Sequence, residues 1–567
     1  MITIIQRRFL PNKLKVTSWD VLSPYFNQLL EREINNKTDL ENWLKDRSEL
    51  EAFISEDMAW RYVRMTCDTT NKDLEQAYLF FVTEIEPQIS PLTDKLNHKL
   101  IQSPFVDELD KEKYFIYLRG IRKEIEIFRE ENVPLMAEIS TESQKYGAII
   151  GSMSVEIDGK ELTMQQAANF LKNPDRNKRE IAFKKINEKR QAHATELDEL
   201  FNKLISLRHQ VAVNAGFDNF RDYMFAAMGR FDYTPKDCFD FHSAIQKEVM
   251  PLVKAFAEKR KKDLGFDSLR PWDMEVDTQN REALEPFTSG KDLIDKTERC
   301  FRKVDDYFAW CIETMDNMER LDLESRKGKA PGGYNYPMSE TSVPFIFMNA
   351  ASSTRDVETM VHEGGHAVHS FLSKDLELAA FKNCPSEVAE LASMSMELLS
   401  YDGQDEFYPN KEDFNRAKEE HLEGIIKILP WIATIDKFQH WIYSNPAHTV
   451  QERKDYWLQL SKDFGTGMVD WSGYQNIQAY TWQKQLHLYE VPFYYIEYGM
   501  AQLGALAVWR NYLNNKSKAI AEYKAALSLG YTKTIGEIYK TAGIEFNFTE
   551  SYIKELMAFV REELERC

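Results

Sequence analysis

Met360–His369 reads MVHEGGHAVH, with three histidines, one glutamate and two adjacent glycines in a stretch that has a helical pattern on both sides. Ser353, with Asp356 three residues on, has the form of a helix start, and RDVETMVHEGGHAVHSFL then runs without proline. Placing His362 at 0° on a helical wheel puts His366 near about 40°, Glu358 near about −40° and His369 near about −20°. Val357, Val361, Val368, Phe371 and Leu372 gather between about 180° and 280°. The helix therefore carries an apolar face and, opposite it, a compact face of histidines and a glutamate. Each mid-helix glycine costs roughly 1 kcal/mol relative to alanine, so close neighbours are expected to compensate. Gly364 falls within the apolar face, where a missing side chain lets another helix approach. Gly365 falls at the border, where it leaves room for a ligand helix or a substrate backbone.

His362-Glu363-Gly364-Gly365-His366 fits the pattern H-E-x-x-H. Two histidines one turn apart can share a zinc ion, and the glutamate between them can take a proton from the water that the ion activates. An isolated match arises by chance in roughly one chain in fifty of this length and histidine content, so context matters. A third histidine six residues after the second is absent, because that position is Leu372. His369 shares the polar face, but its Cα lies about 10 Å along the axis from that of His362, which suits packing or support of a ligand better than ligation. A nearer source is CPSEVAELASMSMELLS, Cys384–Ser400. It reads as a helix that is apolar nearly all round except for the stripe Glu387, Glu390 and Glu397. A buried carboxylate needs a cation or a hydrogen-bond donor, and zinc supplies the first. These residues alone leave Glu387 and Glu390 equally eligible.

The surrounding composition sets the class. The 567 residues are 43% hydrophobic, with 23 glycines and 19 prolines, which is ample for a large core and offers no linker-like stretch or fixed repeat. Segments such as Leu40–Asp57, Asp73–Ser90, Asp110–Glu131, Arg179–Asn214, Tyr233–Leu264 and Gln502–Asn514 carry apolar residues at helical spacing. Strand signals are few: SVEIDGKELTM, a hairpin around Asp158-Gly159, and the apolar run Val343–Asn349. The expectation is a mainly α protein with small β elements, divided softly into an N-terminal helical region over residues 1–185 and a catalytic region over 186–567.

The formal charge of −19 argues against nucleic-acid binding, which needs a basic face. No run of eighteen apolar residues suggests a membrane span, and MITIIQRRFLPNKLK has no signal-peptide form. Six scattered cysteines without a C-x-x-C pair fit free thiols in a reducing compartment, so a cytoplasmic location is expected.

HEGGHAVH followed by PSEVAELASMSMEL closely resembles the oligoendopeptidase F family of zinc metallopeptidases, relatives of thimet oligopeptidase. The likeness extends to LRPWDMEVD (residues 269–277), FQHWIYSNP (438–446) and VPFYYIEYGMAQLGALAVW (491–509), and covers roughly residues 190 to 560. It implies a two-lobed, zincin-like helical fold with a deep central channel, one zinc ion, and short peptides as substrates. It makes Glu390, seven residues before Glu397, the third ligand beside His362 and His366, with Glu363 as general base. It gives Glu397 and Glu358 the role of carboxylates that orient the histidines.

The same resemblance assigns Tyr498 to oxyanion stabilisation, His487 to the oxyanion or the peptide backbone, and Tyr495 to substrate binding, with Tyr494 adjacent. On residue chemistry alone these rings are ordinary core or cleft wall, in a chain of 26 tyrosines. Asn349 and Tyr334 are further substrate-contact candidates, and the strand before the metal helix is expected to offer its edge to the peptide. Two other readings share these residues: a dipeptidyl carboxypeptidase of the same chemistry, and a non-catalytic peptide-binding protein with a structural zinc. A structural zinc usually has four protein ligands, and three ligands beside a glutamate favour catalysis.

Overall fold

Helix follows helix through the computed structural model, which describes residues 7–567. The first six residues, part of the N-terminal stretch read above for a signal sequence, lie outside the described residues. Six helices position the site: α1 (Lys37–Cys67), α2 (Pro235–Ala244), α3 (Thr354–Ser373), α4 (Ser386–Leu399), α5 (Lys411–Ser444) and α6 (Ile496–Asn514). The start of α3 is the expected one, since Ser353 and Asp356 form a reciprocal capping box.

Two long helical readings are interrupted, both for one reason. Asp73–Ser90 divides into Lys72–Phe80, a π-helical turn Phe81–Ile85 and a helix from Glu86; Tyr233–Leu264 divides into α2, a π-helical turn Ile245–Val249 and a helix from Met250. Each wide turn ends just before a proline pair, Glu86-Pro87 or Met250-Pro251. Proline lacks the N–H and its ring crowds the carbonyl one turn back, and widening the turn relieves both. Arg179–Asn214 is two helices, Arg176–Ala192 and Ala194–Asn214, meeting at His193.

The sheets are small. β1 (Ser154–Ile157) and β2 (Lys160–Thr163) pair antiparallel, with Asp158 and Gly159 both left-handed at φ 53° and 73°, the geometry of the tight turn read from Asp-Gly. The other sheet holds β3 (Leu321–Glu324), β4 (Tyr334–Tyr336) and β5 (Phe345–Ala350), in the order β3-β5-β4. β5, the strand before the metal helix, is therefore central and both its edges are paired. The expectation that it offers an edge to substrate is corrected: among these three strands the open edges belong to β3 and β4.

Two main hydrophobic clusters divide the chain. One gathers Leu10 through Ile121, with Leu378 and Phe381; the larger gathers residues from Tyr146 to Val560. Residues 180–190 lie inside one continuous helix, and the β1–β2 hairpin contributes Val155 and Ile157 to the larger core. The packing therefore parts between residues 121 and 146, earlier than the division expected at 185. A local change in composition cannot reveal which core a helix enters. Ala59 and Val63 of α1 cross to pack on Phe345 and Phe347 of β5.

Candidate metal centre

α3 and α4 cross at the glycine pair. A Cβ on Gly365 would lie 2.7 Å from Ser393 Cα and 2.8 Å from the Ala392 carbonyl, both backbone atoms of α4. A Cβ on Gly364 would instead meet the Phe301 ring at 2.7 Å. The two positions thus have the different neighbours that the wheel gave them, a ligand helix and an apolar core. Backbone-to-backbone approach at Gly365 is what brings the α4 carboxylates to the α3 histidines.

Within that crossing, His362 Nε2 lies 3.4 Å and His366 Nε2 3.8 Å from Glu390 Oε2. One donor atom from each of the three residues lies within 4.8 Å of the others. The ambiguity along α4 is resolved by direction: Glu390 turns toward the histidines, whereas Glu387 accepts from Tyr233 Oη at 2.6 Å and faces Arg230. Glu390 Oε2 also accepts from Ser393 Oγ at 3.0 Å.

Behind this cluster, His362 Nδ1 donates to Glu397 Oε1 at 2.6 Å, which leaves Nε2 turned to Glu390 and free of that bond. Glu397 Oε2 accepts from His421 Nε2 at 2.8 Å, and the Tyr401 hydroxyl lies 2.6 Å from His421 Nδ1. Glu358 departs from its expected role. Its carboxylate accepts from Arg355 at 3.0 Å and makes no hydrogen bond to His362; the neighbouring arginine on the same exposed turn captures it. His369 is buried with Nε2 3.4 Å from Cys384 Sγ, in packing.

The electrostatics ask for a cation. Burial raises Glu390, but its hydrogen bond to His362 and the charges of both histidines outweigh this and hold it at about 2. Burial likewise disfavours a charged His362, yet Glu390 and Glu397 drive its pKa well above the usual value. A proton on His362 thus stands where a metal ion's charge belongs. Glu363 is 7% exposed, and its Oε2 has no partner in the protein. Burial pushes its carboxyl up to about 7, and its backbone carbonyl is held by Asn335 of β4 at 3.0 Å. Two imidazoles and a carboxylate suit zinc, and the unpaired buried carboxylate beside them suits a proton acceptor.

Opposite lies the aromatic wall. α6 begins only at Ile496, because Phe493 takes φ 68° and turns the chain first. That turn presents Tyr494, whose hydroxyl donates to Glu390 Oε1 at 3.1 Å. The Tyr498 ring packs 5.3 Å from Tyr494 and 5.4 Å from Tyr495, and His487 lies 4.8 Å from Tyr495 and 6.0 Å from Tyr498. Burial raises all three tyrosine hydroxyls, so they remain protonated donors. Burial lowers His487 to about 4, so it is neutral near pH 7.

A chain of donors fixes the His487 tautomer. Trp431 Nε1 can only donate, and it donates to Gln485 Oε1 at 3.0 Å; Gln485 Nε2 therefore donates to His487 Nδ1 at 2.6 Å. The proton of neutral His487 is left on Nε2, as a donor.

Two expected substrate contacts are otherwise engaged. Asn349 Nδ2 donates to the carbonyls of Ala330 and Gly332 at 2.7 and 2.9 Å, tying down the preceding loop. Tyr334 stacks on Phe347, and its hydroxyl meets Thr66 of α1 at 2.6 Å. Both side chains thus have partners within the protein itself. Sequence reading missed Ser393, His421, Tyr401, Asn335 and Gln485. The only signal was a histidine, His421, amid the charged EEHLEG turn, and its partner Glu397 is on another helix.

A family model described as Peptidase family M3 matches residues 169–558, and one described as Peptidase M3 N-terminal domain matches residues 9–128. The chain is similar to an oligoendopeptidase F homolog of Borreliella burgdorferi, 24% identical over 503 residues that cover 83% of this chain and 81% of the relative. It is similar to oligopeptidase PepF of Bacillus subtilis, 21% identical over 78% of this chain and 67% of the relative. Among solved structures it is similar to Pz peptidase A with an inhibitor, at a TM-score of 0.90 and 25% identity over 99% of each chain.

Proposed function

The chain belongs to peptidase family M3, and from that premise we propose that it is a zinc endopeptidase that hydrolyses internal bonds of short peptides inside the cell. The observation that carries the reading is the convergence of His362, His366 and Glu390 beside the buried, unpartnered Oε2 of Glu363. One zinc ion held by those three ligands would polarise the scissile carbonyl and lower the pKa of water. Glu363 takes the proton from the attacking water and returns it to the leaving amine. A cation beside it draws the carboxyl's raised pKa back down, so Glu363 begins the cycle ionised.

Tyr498 and the Nε2–H of His487 donate to the oxyanion that develops on the carbonyl. Tyr495 lines the substrate cleft. The hydroxyl of Tyr494, bonded to Glu390, holds that ligand's second oxygen. Glu397, backed by His421, keeps His362 in the tautomer that ligates through Nε2. The peptide backbone adds to the open edge of β4, whose Asn335 is already tied to Glu363, rather than to β5. A location in the cytoplasm is supported by six cysteines that are all free thiols. Among the described residues no helix is long and apolar enough to cross a membrane.

Digestion of a mixed peptide library with and without chelator, followed by zinc add-back, tests this. Cleavage should stop and return, with products cut internally whether substrate C-termini are free or blocked. Chelator-insensitive cleavage overturns the reading, and products confined to free C-termini convert it to a dipeptidyl carboxypeptidase.

A further inference from the structure

The FQHWIYSNP stretch forms the end of α5 and the turn after it, and the chemistry of peptide hydrolysis leaves His440 there, and Asp436 one turn before it, unused. Asp436 and His440 stand one turn apart on α5, and Cys238 and His242 one turn apart on α2, so each helix turns two donors toward the other. All four are sealed: Cys238 and Asp436 are 0% exposed, His242 2% and His440 3%. Cys238, Asp436 and His440 each bring one donor atom within 4.8 Å of the other two.

Hydrogen bonding inside the protein leaves this cluster unfinished. Asp436 Oδ2 accepts from His242 Nε2 at 2.8 Å. His440 Nε2 lies 3.2 Å from the same oxygen, but out of line for a hydrogen bond. Asp436 Oδ1, His242 Nδ1 and both nitrogens of His440 have no partner. Four orphaned polar atoms at one buried point is a heavy cost, since each forfeits its hydration without replacement. Apolar rings pack beside them: Phe239, Phe493 and Phe225 lie 4.8, 5.4 and 6.0 Å from the His440 ring.

We propose that Cys238, Asp436 and His440 form a second, fully buried metal site that takes Zn2+, with His242 holding the ligating carboxylate. The donor set selects the metal. One sulfur, one imidazole nitrogen and one carboxylate oxygen match zinc, whereas calcium and magnesium require oxygen cages. Charge also balances. Binding expels the thiol proton to solvent, and thiolate plus carboxylate neutralise the divalent ion, leaving no net charge in the core. His242 Nε2–H on Asp436 is the support that a ligating carboxylate needs. The site ties α2 to α5 as the α3–α4 site ties its own pair, but with no open cleft and no spare carboxylate.

The test uses full-length protein, stripped with chelator and reloaded with Zn2+ or Co2+. Wild type should take up a second equivalent of metal beyond the catalytic one. Its cobalt form should show a near-ultraviolet thiolate-to-metal charge-transfer band, because the α3–α4 site has no sulfur ligand. His362→Ala should abolish hydrolysis and lower the metal content by one equivalent, yet keep the band. Cys238→Ser should lose one equivalent and the band, yet still hydrolyse peptides. A single equivalent in wild type with no thiolate band overturns the proposal, as does a band that survives Cys238→Ser. Both wild-type readouts hold even if a variant fails to fold.

Discussion

At the α3–α4 crossing His362 and His366 stay partly exposed, a tyrosine wall faces them, and Glu363 keeps an unpartnered oxygen. Between α2 and α5 the donors are equally close but fully buried, with phenylalanine rings packed against His440. The sulfur of Cys238 separates the two donor sets, but what surrounds the donors separates their chemistry. A site open to substrate beside a general base can be catalytic, whereas a site sealed in the core without such a base can only hold its two helices together.

The largest test of that contrast is Glu363→Gln. Glutamine keeps the shape of the side chain and removes its basicity, so zinc content should be unchanged while turnover falls by about 10²–10⁴, the usual contribution of positioned acid–base groups. Metal analysis beside steady-state kinetics reads both quantities. Turnover within tenfold of wild type would show that proton transfer runs through another group.

The glycine pair sharpens the same contrast from the packing side. Gly365→Ala places a Cβ against the α4 backbone, which cannot rotate away, so the ligand helix must shift. Overpacking of this kind costs about 1–3 kcal/mol, and here the loss should appear as weaker zinc binding. Gly364→Ala meets a phenylalanine ring and should lower only the melting temperature. Equal zinc affinities in the two variants would remove the distinction between the faces.

Glu397→Ala tests what stands behind the open site. Without its partner, His362 is free to rotate or change tautomer, and zinc affinity should fall by about 10–100-fold. Competition with a chromogenic chelator measures it; an unchanged affinity would leave Glu397 a purely structural residue bound to His421.

Much of this was readable in the sequence because helical period and residue chemistry are local. The histidine face, its capping box, the hairpin at Asp158-Gly159 and the different surroundings of Gly364 and Gly365 all follow from spacing. What escaped is relational. Strand order put β5 in the middle of its sheet, and no local pattern encodes that. The left-handed Phe493 turns the chain ahead of α6 and brings Tyr494 to Glu390, although a phenylalanine gives no hint of positive φ. Glu358 sat on the right face but lay within reach of Arg355.

The smallest expected effect concerns the network between the two clusters. Arg230, a few residues before α2, donates to Glu497 of α6 at 2.7 Å and lies 3.9 Å from Glu387 of α4. One buried guanidinium faces two carboxylates, and burial together with Glu387 pushes Glu497 up to about 8. In the unfolded chain that carboxyl loses its proton near its ordinary value of about 4.3. Between that value and about 8 the folded protein therefore holds a proton that the unfolded chain has released, and folded stability declines with rising pH through that window. Below the window both states are protonated and the contribution is fully present; above it the loss levels off. Glu497→Gln carries no titrating proton, so its melting temperature should vary less between pH 5 and pH 8 than that of wild type. Parallel melting curves for both proteins across that range would mean that Arg230 keeps both carboxylates ionised, and that the α4–α6 contact is an ion triad rather than a shared proton.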